Sequence, residues 1–86
     1  MASYDVFIKP SALKELESVG SRKVRRNVAG CVQALGREPR PFGCKKLAGG
    51  DRYRIRIGRY RVVYSVDDEH RAVRVFKVGH RKDIYR

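Results

Sequence analysis

The chain has 86 residues, with 21 lysines and arginines against 9 aspartates and glutamates, a formal net charge of +12 at pH 7. So short a chain is read as one domain, 1–86, with a small core, which excludes a two-lobed cofactor-binding enzyme. Hydrophobic residues make up 42% of it, too many for charge-driven disorder, and no apolar run approaches the ~18 residues of a membrane span.

In residues 4–8, Val6 and Ile8 point to one side and Phe7 to the other, the pattern of a strand. Pro10 ends it, and Ser11 is placed to cap a short helix with an apolar stripe of Leu13, Leu16 and Val19, stopped by Gly20. Ser21 caps a second helix running to about Leu35, with Val24, Val28, Cys31, Val32 and Leu35 at helical spacing. Arg22, Lys23, Arg25 and Arg26 crowd its first turns. That end already carries partial positive charge, at a cost of ~0.3–1 kcal/mol per misplaced cation. An acidic partner accounts for such a cluster, and so does a solvated basic face.

Residues 36–51 hold Gly36, Pro39, Pro41, Gly43, Gly49 and Gly50 and read as a loop. The period then changes to two. Tyr53, Ile55 and Ile57 go to the core, leaving Arg52, Arg54 and Arg56 on an open face. Gly58 and Arg59 make a tight turn into a strand over 60–66, a polar loop follows at 67–70, and a third strand covers 72–78. The expected fold is α+β in the order β-α-α-β-β-β, an antiparallel sheet with both helices on one face.

A basic domain of this kind is the electrostatic footprint of a polyanion binder, so RNA, DNA, an anionic membrane and an acidic protein are its candidate partners. Arg54 and Arg56 share one side of a strand, Arg61 follows across the turn, and Arg81 comes after the last strand. Four guanidiniums gathered on one surface form a phosphate clamp. His80 is the candidate general acid or base, whereas His70, among acids, is read as solvent-exposed. Tyr85 is placed to stack on a base, while Tyr53, Tyr60 and Tyr64 read as core. Lys45, Lys46, Arg52 and Lys82 are the flanking cations expected to touch RNA. Cys31 and Cys44 read as packed thiols. With no CxxC and two separated histidines, no metal is expected, and no cofactor motif is present. The N-terminus lacks a secretory pattern, so the expected location is cytoplasmic.

Lys46-Leu47-Ala48-Gly49-Gly50, Tyr53-Arg54-Ile55-Arg56-Ile57, Tyr60-Arg61-Val62-Val63-Tyr64 and Val78-Gly79-His80-Arg81 through Tyr85 resemble the RelE/ParE toxin superfamily. More narrowly, they are similar to RelE-type mRNA interferases of type II toxin–antitoxin systems. The resemblance covers nearly the whole chain and includes Ser11-Ala12-Leu13-Lys14-Glu15-Leu16. It implies a microbial-ribonuclease-like fold, and metal-independent cleavage of mRNA in the ribosomal A site by attack of the 2′-hydroxyl on the adjacent phosphate. It also implies an acidic, partly helical, RelB-like antitoxin as partner, with the ribosome and mRNA. By position, Arg61 and Arg81 match the arginines that hold the scissile phosphate, and Tyr85 the C-terminal tyrosine that orients substrate. Arg54 and Arg56 match strand positions that are often lysine in the family. Arginine stabilises charge but does not give up its proton, which makes His80 the candidate for proton transfer. ParE-like members share the fold and poison gyrase without cutting RNA; that reading stays open, as does a simple nucleic-acid-binding module.

Overall fold

The computed structural model describes residues 3–80. Its elements are β1 (Asp5–Ile8), α1 (Pro10–Glu17), α2 (Arg22–Ala34), β2 (Lys45–Lys46), β3 (Arg52–Ile57), β4 (Tyr60–Asp67) and β5 (Ala72–His80). They build one five-stranded sheet in the order β1-β5-β4-β3-β2. The α+β architecture agrees with expectation, with two differences. The glycine- and proline-rich stretch contains a two-residue strand, β2, too short to show any periodicity. And β1 pairs with the last strand in parallel, while every other pair is antiparallel.

Both helices begin where local chemistry permits. Pro10 occupies the first turn of α1, where its missing N–H costs nothing. Lys9 rather than Ser11 is therefore the N-cap, and it makes no side-chain capping bond. Ser21 caps α2 as expected, its Oγ accepting from the Val24 N–H at 3.3 Å. Arg25 donates from Nη1 to the Val19 carbonyl at 2.9 Å, so one member of the cationic cluster at the α2 start closes the helix–helix connection. Arg22, Lys23 and Arg26 remain exposed.

The core lies between the helices and one face of the sheet. Ala12, Leu16, Val28, Val32 and Leu35 come from the helical side and meet Val62, Tyr64, Val66, Val73, Val75 and Val78 of β4 and β5. Tyr53, Ile55 and Ile57 pack against this cluster from β3, as their period-two spacing requires. Leu13 was expected in the α1 stripe but is 43% exposed, and Ala12 is buried in its place. The helix starts two residues earlier than expected, and Ala12 and Leu16, with Val19 just beyond its end, face inward.

A conserved parity along β5 would put Arg74, Phe76, Val78 and His80 on one side. The strand instead carries a bulge: Tyr64 pairs with Val75 and Val63 with Lys77, leaving Phe76 as the extra residue. Beyond it the faces exchange. Val78 turns into the core opposite Val62, and His80 falls on that same side opposite Tyr60.

Candidate functional site

The sheet face away from the helices is built by register. Arg56 stands directly across from Arg61, Arg54 from Val63, and Arg52 from Ser65. Lys45 lies across from Arg54, and Lys77 across from Val63. Arg74 faces Ser65 on one flank and Phe7 on the other. Antiparallel partners share a face, so Lys45, Arg52, Arg54, Arg56, Arg61, Arg74 and Lys77 all project from this one. Asp5 and Asp67 lie at its other end, level with Ala72, and Asp67 is engaged by His70 at 2.8 Å.

The centre of this face is not open, contrary to the expectation for Arg54. Its side chain lies beside the buried Val63, and the residue is only 6% exposed. Its neighbours in a cleft of about 320 Å³ are Phe42, Gly43, Lys45, Ile55 and Arg56. The reason is β2, which covers the sheet edge at the register of Arg54. The Arg54 Nε is buried and has no hydrogen-bond partner among the described residues. A buried polar atom in that state costs ~1–3 kcal/mol, and more when charged. Arg56 and Arg61 stand directly across the ladder, which sets two like charges side by side on this face. An oxyanion bound beside Arg54 satisfies that atom.

Other expected residues are placed elsewhere. Lys46 faces Tyr53 and so projects on the helix side. His80 meets the Tyr60 ring edge-on, with centroids 5.7 Å apart, across the sheet from Arg56 and Arg61. The bulge at Phe76 causes this, and the spacing Val73, Val75, Val78, two residues and then three, is the sequence signal of it. Arg81, Lys82 and Tyr85 lie outside the described residues. Tyr53 stacks on Tyr64 at 5.9 Å, and the Tyr64 hydroxyl donates to the Pro39 carbonyl at 2.7 Å; burial pushes its pKa up. His70 is exposed, as expected. Among the described residues, no three His, Cys, Asp or Glu side chains gather into a metal-binding group, and no helix is long and apolar enough to cross a membrane.

Two features of the same face went unread in the sequence. The Arg52 guanidinium lies over the Phe76 ring at 4.1 Å, and that of Arg74 over Phe7 at 5.7 Å. On the opposite side of the molecule, Val24, Asn27, Ile57, Gly58, Arg59 and Tyr60 line a largely apolar groove of about 320 Å³ between α2 and the β3–β4 hairpin.

Comparison with known proteins gives this arrangement its context. The family described as ParE toxin of type II toxin–antitoxin system, parDE, matches residues 6–85. Toxin RelG of Mycobacterium tuberculosis is 36% identical over 96% of this chain and 97% of its own length. Among solved structures, the archaeal RelE–RelB complex from Pyrococcus horikoshii superposes with a TM-score of 0.83 at 32% identity, covering 94% of this chain and 98% of that one. The intact Escherichia coli RelBE toxin–antitoxin complex gives a TM-score of 0.77 at 32% identity, covering 91% and 96%.

Proposed function

The chain belongs to the RelE/ParE superfamily of type II toxin–antitoxin toxins, and we propose that within it this protein is a ribosome-dependent endoribonuclease that cuts mRNA in the A site. The observation that carries this reading is the arginine group Arg54, Arg56 and Arg61 on one sheet face, with the Arg54 Nε buried and without a hydrogen-bond partner among the described residues. In the reaction, the 2′-hydroxyl gives up its proton to solvent water and attacks the adjacent phosphorus. The bond to the 5′-oxygen breaks, and that oxygen leaves with a proton taken from water. The products are a 2′,3′-cyclic phosphate and a 5′-hydroxyl. Charge builds on the non-bridging oxygens, and fixed guanidiniums aimed at them lower that barrier. Arg54 and Arg56 act as charge stabilisers, Arg61 and Arg81 hold the phosphate, and Tyr85 orients the substrate. The ribosome arranges the substrate in this reading. His80, the residue expected to move the proton, lies on the other side of the sheet opposite Tyr60.

The partner under this reading is an acidic, partly helical, RelB-like antitoxin. The apolar groove beside α2, with Arg22, Lys23 and Arg26 exposed near the helix start, fits an amphipathic helix with acids along its rim. Binding there weakens with salt. The protein acts in the cytoplasm, where the ribosome and message are.

Primer extension on a reporter mRNA in a translating extract tests the proposal. Wild-type protein is expected to give cuts confined to A-site codons. Arg54→Ala and Arg61→Ala are each expected to reduce cutting by at least about a hundredfold, the scale of losing one oxyanion donor, while remaining folded by circular dichroism. Intact message with wild-type protein overturns it. The match to the ParE family model then favours the second reading, inhibition of gyrase without cleavage, in which plasmid supercoiling changes before translation stops.

A further inference from the structure

The arginine face does not end at the clamp. From Arg54 and Arg61 it continues across β4 and β5 to the β1 edge, and there its character changes. Arg52 covers Phe76, and Arg74 lies over Phe7. Phe7 is 52% exposed, an unusual position for phenylalanine on a described surface whose other large exposed apolar residues are Leu13 and Phe42. It borders a groove of about 310 Å³ with Lys9, Pro10, Arg74 and Phe76 on its walls. Phe76, the extra residue of the β5 bulge, lies beside this groove.

A guanidinium over a ring leaves its outer plane free. That plane and the neighbouring ring are both surfaces on which a nucleobase stacks. The cations supply the backbone attraction, and the aromatics supply contacts indifferent to base identity. This pairing is the mark of a single-strand binding surface. An acidic peptide would use the charges but has no need of the rings. The strip crosses three strand spacings of ~4.8 Å each, or about four nucleotides at ~3.4 Å per stacked base.

We propose that Phe7, Arg74, Phe76 and Arg52 form a base-stacking platform that holds single-stranded RNA flanking the phosphate bound by Arg54, Arg56 and Arg61. The platform rests on the reading of that face as an RNA site. It is a binding surface and takes no part in bond breaking.

The test uses fluorescein-labelled 2′-O-methyl RNA, which lacks the attacking hydroxyl and is not cut. A trinucleotide fills the clamp alone, and a heptanucleotide reaches the platform. Fluorescence anisotropy is read over a range of salt concentrations. Phe7→Ala is expected to weaken the heptanucleotide about tenfold while leaving the trinucleotide and the salt slope unchanged, and Phe7→Trp is expected to restore binding. A heptanucleotide with abasic flanks is expected to bind wild-type protein about tenfold more weakly and to ignore Phe7→Ala. Arg74→Ala is expected to lower the heptanucleotide salt slope by about 0.7. The platform is overturned if Phe7→Ala leaves the heptanucleotide unaffected, if it weakens trinucleotide or abasic RNA equally, or if a glutamate-rich peptide binds with the same dependence on Phe7. Failure of wild-type protein to bind even the trinucleotide overturns the RNA reading itself. Binding that depends on Phe7, in a protein that cuts no message, leaves the platform standing and removes only the nuclease.

Discussion

Gly36 shows how closely one residue is set. A Cβ there would lie 2.9 Å from the Tyr4 carbonyl oxygen and 3.3 Å from Val6 Cγ2, where the end of α2 meets the chain entering β1. The Gly36 carbonyl accepts from the Tyr4 N–H at 2.7 Å, so the two backbones have little room to separate. Gly36→Ala is expected to destabilise by ~1–3 kcal/mol, as overpacking does, and to lower the Tm by several degrees; thermal melting by circular dichroism checks this. The sequence marks Gly36 as a loop glycine, and nothing local tells that it is pressed against a strand far away in the chain. Arg54 teaches the same lesson at the site. Alternation with Tyr53 and Ile55 tells which face it takes, but its burial depends on a two-residue strand that has no period to read. Gly58 is the opposite case. Its φ of +61° opens the two-residue β3–β4 turn, a conformation glycine adopts without strain, and the turn was legible from Gly58-Arg59 between two alternating runs.

At the scale of elements, a polar clasp joins four segments that lie far apart in the sequence. Asp68, in the β4–β5 connection, accepts from the Tyr4 hydroxyl at 2.6 Å and from both Arg40 Nη atoms at 3.1 and 2.8 Å. Arg40 also donates from Nε to the Tyr53 hydroxyl at 3.0 Å and lies 5.2 Å from that ring's centroid. The chain before β1, the loop after α2, β3 and the hairpin tip are thus held together. Arg40, and then the Tyr4 hydroxyl, lower the Asp68 pKa to about 2, from an ordinary value of ~3.9. A depressed carboxyl pKa means stability that is complete above about pH 4 and lost as the pH falls toward 2. Urea midpoints at pH 5 and pH 2.5 are expected to differ more for wild-type protein than for Asp68→Asn. A residual slope remains in the variant from Asp67, whose pKa is also lowered, first by the His70 backbone N–H and then by its ring. An equal drop in both proteins would remove the clasp from the account of acid stability. None of this was readable beforehand, since charged residues in loops carry no pattern that names their partners. The helices and the β3–β4–β5 meander were readable because hydrophobic spacing reports burial directly. His80 fell between these cases: its placement turns on the bulge, visible only in the uneven spacing of three valines.

Taken whole, the molecule carries its net charge of +12 mainly on surfaces that repel themselves, and among the described residues the ion pairs are Arg40–Asp68 and His70–Asp67. Raising the salt from about 10 mM to 150 mM shortens the Debye length from ~30 Å to ~8 Å, so the Tm of the free protein is expected to rise. A polyanion such as heparin, at low salt, is expected to raise it further by binding the folded state; differential scanning fluorimetry measures both, and a flat response would mean that the surface charges are already neutralised within the fold. One feature of the sheet bears on when such a molecule exists at all. Its first strand, Asp5–Ile8, is hydrogen-bonded in parallel to Ala72–Val75 of the last. Translation delivers the N-terminus first, and a long-range pairing waits for both halves. The strand that completes the sheet edge therefore stays without its neighbour until residues 72–75 have been made. No copy carries a finished sheet before Ala72–Val75 have left the ribosome that makes it.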